Sequence, residues 1–219
     1  MKERSPTRQR ILEASRQLFN TKGYANTTIA EIASAVDIAE GNLWYHFRAK
    51  GDMVVALEEQ LRQAVRERRA AYPSGAPAAD DYVESLLFAM TQKWDYRFLL
   101  RDHLQFAKTR RPIQLDPDMA ADFEMMREAL ERLKKEGLFR RDPSVDLEML
   151  AETLWIVTRY WTEYLQEQEG VDEIGIAEQE RGIQHHFTVL LPYLTAAARR
   201  SLAAALRRVS SEFTARSMT

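Results

Sequence analysis

Thr27-Thr28-Ile29-Ala30-Glu31-Ile32-Ala33, followed after a short interval by Glu40-Gly41-Asn42-Leu43-Trp44-Tyr45-His46-Phe47, reads as two short helices joined by a tight turn. Thr28 with Glu31 three residues on is a capping pair that starts the first of them. Ile29, Ile32, Ala33 and Val36 form its buried face, and Asp37-Ile38 make the turn. The second helix, about Ala39 to Phe47, has only two apolar anchors, Leu43 and Phe47, so most of its surface is free to enter a groove of DNA. Gly41 sits inside it, although glycine costs about 1 kcal/mol relative to alanine there. A Cβ at that position is therefore expected to collide with DNA or with the preceding helix.

Outward from this pair the pattern stays helical. A first helix opens at Ser5-Pro6, carries Ile11, Leu12, Ser15, Leu18 and Phe19 on one face and stops at Gly23. A fourth starts near Lys50, with Met53, Val54, Leu57, Leu61 and Val65 on one side and Arg62, Arg66, Glu67 and Arg69 on the other. After the loop Pro73-Ser74-Gly75-Ala76-Pro77, a fifth is marked by Tyr82, Val83, Leu86, Leu87 and Met90, and a sixth is expected from Trp94 to about Lys108. Asp116-Pro117 opens a helix that closes at Gly137, and Asp142-Pro143 opens one that runs to about Gln168. A last segment, about Ile176 to Ser211, should be kinked or split by Pro192. The expected fold is all-α: a three-helix helix-turn-helix head, residues 1–50, and a larger helical body, residues 51–219, with about nine or ten helices in all.

Composition narrows the function classes. The 219 residues, 45% hydrophobic, suffice for a sizeable core, and the absence of cysteine excludes disulfides, zinc-thiolate sites and cysteine nucleophiles. No apolar run approaches the roughly 18 residues of a membrane span and no apolar signal core follows Met1-Lys2-Glu3-Arg4, so a cytoplasmic protein without membrane contact is expected. Residues 1–50 hold eight Lys or Arg against five acids, a net +3, which leaves −5 for the remainder of a chain of net charge −2. A basic head on an acidic body suits a molecule that meets phosphate at one end. No glycine-rich phosphate loop, G-x-S-x-G elbow or H-E-x-x-H pair appears, and neighbouring His185 and His186 point about 100° apart on a helix. No enzyme activity, cofactor or metal site is expected. Arg199, Arg200, Arg207 and Arg208 beside Leu202, Leu206 and Val209 read as a terminal helix docked on the body rather than a membrane-binding one.

Thr27-Thr28-Ile29, Ile32-Ala33, Gly41, Leu43, His46-Phe47 and Lys50, preceded by Arg8, Ile11-Leu12, Leu18-Phe19 and Gly23-Tyr24, resemble the N-terminal region of the tetracycline-repressor (TetR) family over about the first 55 residues. Trp94-Asp95-Tyr96-Arg97-Phe98 with Arg101-Asp102 resembles one subgroup of it. Three positions depart from the family's pattern: Asp37 where glycine is usual in the turn, Ala39 where a hydroxyl residue starts the recognition helix, and Trp44 in place of tyrosine. Aspartate tolerates left-handed backbone, so the turn should survive; Ala39 cannot cap, at a cost of about 0.5–2 kcal/mol unless a neighbour supplies the acceptor.

Chemistry and resemblance together assign phosphate contacts to Thr28, Trp44, His46 and Lys50, with charge added by Lys2, Arg4 and Arg8. Base reading falls to Glu40 and Asn42 beside Gly41, and Tyr45 completes the set. The plainer readings are Tyr45 as a partly buried packing residue, Glu40 as a solvated acid and His46 as an interhelical packing histidine. A head of this kind reads a palindromic operator as a homodimer. The resemblance implies a four-helix interface, for which Leu147, Leu150, Leu154, Trp161 and Leu165 with Ile183, Phe187, Leu190 and Leu194 supply stripes, unless these only fill one monomer's core. Trp94, Phe98, Phe106, Phe123, Trp155, Thr158 and Arg159 are the candidates for a pocket that takes a small hydrophobic or aromatic effector, each against ordinary core packing. The function expected is a sequence-specific transcriptional regulator, a repressor released by that effector; a helical scaffold or partner-binding protein without effector control is the alternative.

Overall fold

The computed structural model describes residues 5–102, 116–141, 145–171 and 176–217. Among them are ten α-helices and one 3-10 turn, and in place of any strand an isolated bridge joins Phe139 to Leu194. No helix among the described residues is long and apolar enough to cross a membrane.

The chain folds into two compact units, the first comprising the residues up to Arg66 with a segment that begins at Asp95, the second the residues from Glu67 to Trp94 and those from Asp116 onward. In the first unit α1 (Pro6–Lys22) has its proline in the first turn and ends at Gly23, whose φ of 87° lies where only glycine is at ease. α2 (Ile29–Ala35) starts on the complete Thr28/Glu31 capping box, and α3 (Glu40–His46) follows a turn in which Asp37 takes φ 54°. Arg10 reaches across to bond the Val36 carbonyl at 2.6 Å, closing that turn from α1. The first core gathers Ile11, Leu12 and Phe19 with Ile32, Leu43, Phe47, Met53 and Leu57, the last two from the N-terminal half of α4 (Lys50–Ala70).

The sixth helix differs from expectation. α5 (Ala78–Asp95) runs through Trp94, the backbone breaks at Tyr96, and α6 covers only Arg97–Arg101. Polar groups of α1 hold the break: Arg16 and Asn20 both donate to the Asp95 carbonyl, at 3.2 and 2.8 Å, and Asn20 accepts from the Phe98 amide. Arg101 then donates to the Phe19 and Asn20 carbonyls at the end of α1, and buried Asp102 accepts from the Tyr24 amide at 2.8 Å. Arg101 and Asp102, at the end of the subgroup-like run, thus serve as a C-terminal cap for the first helix. The expected continuation toward Lys108 lies outside the described residues.

In the second unit α5 packs with α7 (Asp116–Lys135), α8 (Leu147–Glu169) and α9 (Ile176–Leu190), and the 3-10 turn Leu191–Tyr193 leads to α10 (Ala196–Ser217). Pro192 splits this last segment, as its missing amide requires. α8 is capped by Asp146, which accepts from the Met149 amide at 3.0 Å, and it ends at Gly170 in left-handed backbone; Asp142-Pro143 lie outside the described residues. Asp81, 1% exposed, accepts from the Ser74 amide and hydroxyl and pairs with Arg132, fixing the Pro73–Pro77 loop against α5 and α7.

Candidate nucleic-acid interface and cavity

α3 is seven residues long and turns one side chain, Leu43, fully inward. Glu40, Gly41 and Asn42 are exposed, Trp44 is 43% exposed and Tyr45 87% exposed. At that exposure Tyr45 packs against no core and is not a packing residue. His46 is half-buried, its ring edge-on to Tyr45 at 5.4 Å. Neither Ala39 nor any neighbour supplies a side-chain cap to α3. A Cβ on Gly41 would meet nothing within 4 Å, which removes the preceding helix as the reason for this glycine and leaves the outward face.

The flank beside α3 is prearranged. The exposed Thr28 hydroxyl accepts from the Glu31 amide at 3.2 Å while Glu31 accepts from the Thr28 amide at 2.8 Å and from Lys22 at 2.6 Å. Those bonds, Lys22 first, hold the Glu31 carboxyl down at about 2. Lys50 donates to the Tyr24 and Thr27 carbonyls at 2.6 and 2.8 Å and lies over the Tyr24 ring at 4.2 Å; burial lowers its pKa. It pins the loop ahead of α2 to the start of α4. Arg8 stacks on Phe47 at 4.7 Å, and Lys2 and Arg4 lie outside the described residues.

The second unit holds a half-open cavity of about 60 Å³. Tyr82, Ser85, Leu86, Ala89 and Lys93 line it from one face of α5; Asp122, Met125, Met126 and Ala129 from α7; Trp155 and Thr158 from α8. At its base Tyr82 Oη and His186 Nε2 are 2.5 Å apart, and His186 Nδ1 is 3.0 Å from the Thr158 hydroxyl. That hydroxyl has one proton and gives it to the Leu154 carbonyl, so it accepts from His186 Nδ1–H, and Nε2 accepts from Tyr82. Burial is the main cause that lowers His186 to about 3 and raises Tyr82, so both are neutral.

Of the seven expected pocket residues, Trp155 and Thr158 line this cavity. Phe123 stands edge-on to Trp155 at 6.3 Å, and the Arg159 guanidinium lies 6.0 Å from the Trp155 ring centre. Trp94 is half-buried against the second core without reaching the lining. Phe98 lies elsewhere: fully buried, its ring 5.3 Å from Phe19, it belongs to the core of the first unit. Phe106 is outside the described residues. Lys93, Asp122, Tyr82 and Ser85 line the cavity without being among the expected pocket residues, although Tyr82, Ser85/Leu86, Ala89 and Lys93 fall at helical spacing on one face.

The stripes expected at an interface need correction. Leu150, Leu154, Trp161, Leu165, Ile183, Phe187, Leu190 and Leu194 are buried within the second unit's own core, with Leu147 half-buried against it. The apolar side chains that α8 leaves in solvent are Met149 (64% exposed), Ile156 (47%), Tyr160 (50%) and Tyr164 (48%), which repeat at spacings of seven and four along one face.

Comparison with known proteins covers nearly the whole chain. A family model described as bacterial regulatory proteins, tetR family, matches residues 11–57, and one described as bacterial transcriptional repressor matches residues 56–202. The HTH-type transcriptional regulator TtgR of Pseudomonas putida is 36% identical over 61 residues, 28% of this chain and 29% of TtgR. A TetR-family regulator of Marinobacter aquaeolei VT8 has a solved structure that covers 93% of this chain and 98% of its own, with TM-score 0.73 and 27% identity. CprB of Streptomyces coelicolor, solved with its biological operator sequence, has TM-score 0.65 at 22% identity over 94% of this chain and 97% of its own.

Proposed function

The chain belongs to the TetR family of bacterial transcriptional regulators, and from that membership we propose that it is a homodimeric repressor that reads a palindromic operator through α3 and is released by a small molecule held in the cavity of the second unit. The observation that carries the reading is the outward presentation of Trp44 and Tyr45 beside bare Gly41 on a helix held by a single buried anchor. Residues 1–50 serve as the DNA-binding part and residues 51–219 as the effector-binding and dimerising part. Glu40, Gly41, Asn42 and Tyr45 approach the base edges, and Thr28, Trp44, His46 and Lys50 the phosphates, Lys50 as a point charge beside the carbonyls it already holds. Bases then meet backbone at Gly41, where a methyl group is in the way. Phe123, Trp155, Thr158 and Arg159 stay with the effector. TtgR and the operator-bound CprB support the reading by likeness of sequence and of fold.

Replacing Gly41 with alanine tests it. Helix propensity favours alanine by about 1 kcal/mol, so thermal stability is expected to hold or rise. Operator affinity, measured by fluorescence anisotropy on DNA from an unbiased selection, is expected to fall about tenfold or more, as for a lost good base contact. A variant that is at least as stable and binds operator as tightly as the parent sinks the assignment of α3.

Two recognition helices must sit about 34–36 Å apart to meet successive half-sites, which one chain cannot do. The exposed stripe of α8 is the surface for the second copy. Ile156→Glu with Tyr160→Glu is expected to give a folded monomer by sedimentation equilibrium and to weaken operator binding at least about tenfold. A double variant that keeps a dimer's mass removes α8 from the interface.

A further inference from the structure

The Trp155 indole Nε1–H is buried and has no acceptor among the described residues. Lys93 lines the cavity from α5, and its ammonium makes no hydrogen bond or ion pair among the described residues; the Arg159 guanidinium, outside the lining, lies 6.0 Å from the Trp155 ring centre, and its charge acts on Lys93. A buried donor left unmatched costs about 1–3 kcal/mol, so the Trp155 N–H, with the Lys93 cation on the same cavity and the Arg159 cation against its ring, points to an acceptor that arrives from outside. Two carboxylates act on Lys93: Asp122, which lines the cavity, and half-exposed Glu163, which accepts from the Thr162 hydroxyl. Neither lies within ion-pair distance of it or of Arg159. Burial brings the Lys93 ammonium down to about 8, so at neutral pH it is charged, poorly hydrated and short of a partner. The remaining walls, Leu86, Ala89, Met125, Met126 and Ala129, offer only apolar surface, and the two methionines can swing aside to enlarge a space of about 60 Å³.

We propose that the effector is a compact apolar acid, its carboxylate held by Lys93, Arg159 and the Trp155 indole N–H and its hydrocarbon part lying against Leu86 and the two methionines. The inference rests on the reading of this cavity as the effector site. It commits to the head group: a carboxylate adds the negative charge that the two cations lack, whereas an ester or amide satisfies only a hydrogen bond and an amine meets repulsion.

The probes are the straight-chain acids from butanoate to decanoate, their methyl esters and the matching amines, titrated into the full-length protein by calorimetry. At least one acid is expected to bind about tenfold or more tightly than its ester, with no amine binding. Lys93→Met should cut acid affinity about tenfold and leave the ester unchanged, and Trp155→Phe should weaken both. Between about pH 6 and 8 acid affinity should be level, and above that it should fall as the ammonium loses its proton, while ester affinity stays flat. Ala89→Phe and Ser85→Leu, two fillings of the space whose folding is checked by operator binding, should abolish all of it. Equal binding of acid and ester, both lost on filling, overturns the acid head and keeps the cavity; acid binding that survives both fillings overturns the cavity reading; no binding by any member of the series overturns the proposal.

Discussion

Acidification from pH 6.5 to 4.5 is expected to destabilise the protein by up to about 1.4 kcal/mol per pH unit, through His186. Its imidazole sits between Tyr82 and Thr158 with burial holding it to a pKa of about 3. In the unfolded chain the same group titrates at its ordinary value, about 6.5. Between these limits the unfolded state binds a proton that the folded state refuses, so stability is whole above about 6.5 and drains away as pH falls toward 3. Charging the folded site would also leave two donors, Tyr82 Oη–H and Nε2–H, facing each other. Thermal unfolding from pH 7 to 4.5, compared with His186→Gln, checks this: the variant is less stable at neutral pH, but its curve is flatter over that range. Carboxylates held low, Glu31 and Asp81 among them, begin to act near pH 5, at the foot of the window, and do so equally in parent and variant. Parallel curves for parent and variant would assign the acid limb elsewhere.

The second large effect is expected at Gly182. A Cβ there would strike Met90 Cε and stand 2.6 and 2.7 Å from Cδ1 and Nε1 of Trp161. The methionine end can move. The indole cannot, because Nε1 donates to the Glu178 carbonyl at 2.8 Å and the ring stacks with Tyr164 at 5.6 Å. Overpacking of this kind costs about 1–3 kcal/mol, and alanine recovers about 1 kcal/mol of helix propensity. Gly182→Ala should therefore lose about 1 kcal/mol and Gly182→Leu about 3 kcal/mol, measured by urea unfolding. Combining Gly182→Ala with Trp161→Leu should cost less than the two single changes added together. Strict additivity would mean that the indole does not occupy the notch.

The three-helix head was legible because its signals are local. Pro6, Gly23, the Thr28/Glu31 pair and the turn at Asp37 each act within four residues of where they sit. The break at Tyr96 was not, since it depends on Arg16 and Asn20, more than seventy residues earlier, taking the Asp95 carbonyl. Phe98 shows the same limit: an aromatic on a helix announces that it will be buried, not in which core. The stripes of α8 and α9 are correct as apolar faces, yet periodicity alone cannot say whether a face meets its own chain or a copy. Only the exposure of Met149, Ile156, Tyr160 and Tyr164, one face further round, separates the two. Lys93 is not legible as a pocket residue because a lysine near the end of a helix usually complements the backbone dipole in water, whereas here it lines a cavity together with residues of α7 and α8.

The chain has four tryptophans, and two of them stand in contrasting surroundings: Trp44 in solvent on α3, Trp155 on the cavity wall with its N–H unmatched among the described residues. Indole emission follows the polarity around the ring and the bonding of its nitrogen. The molecule therefore carries an intrinsic fluorophore at each of the two proposed sites, and single replacement of either by phenylalanine is expected to separate the optical signal of added DNA from that of an added small molecule without an extrinsic dye.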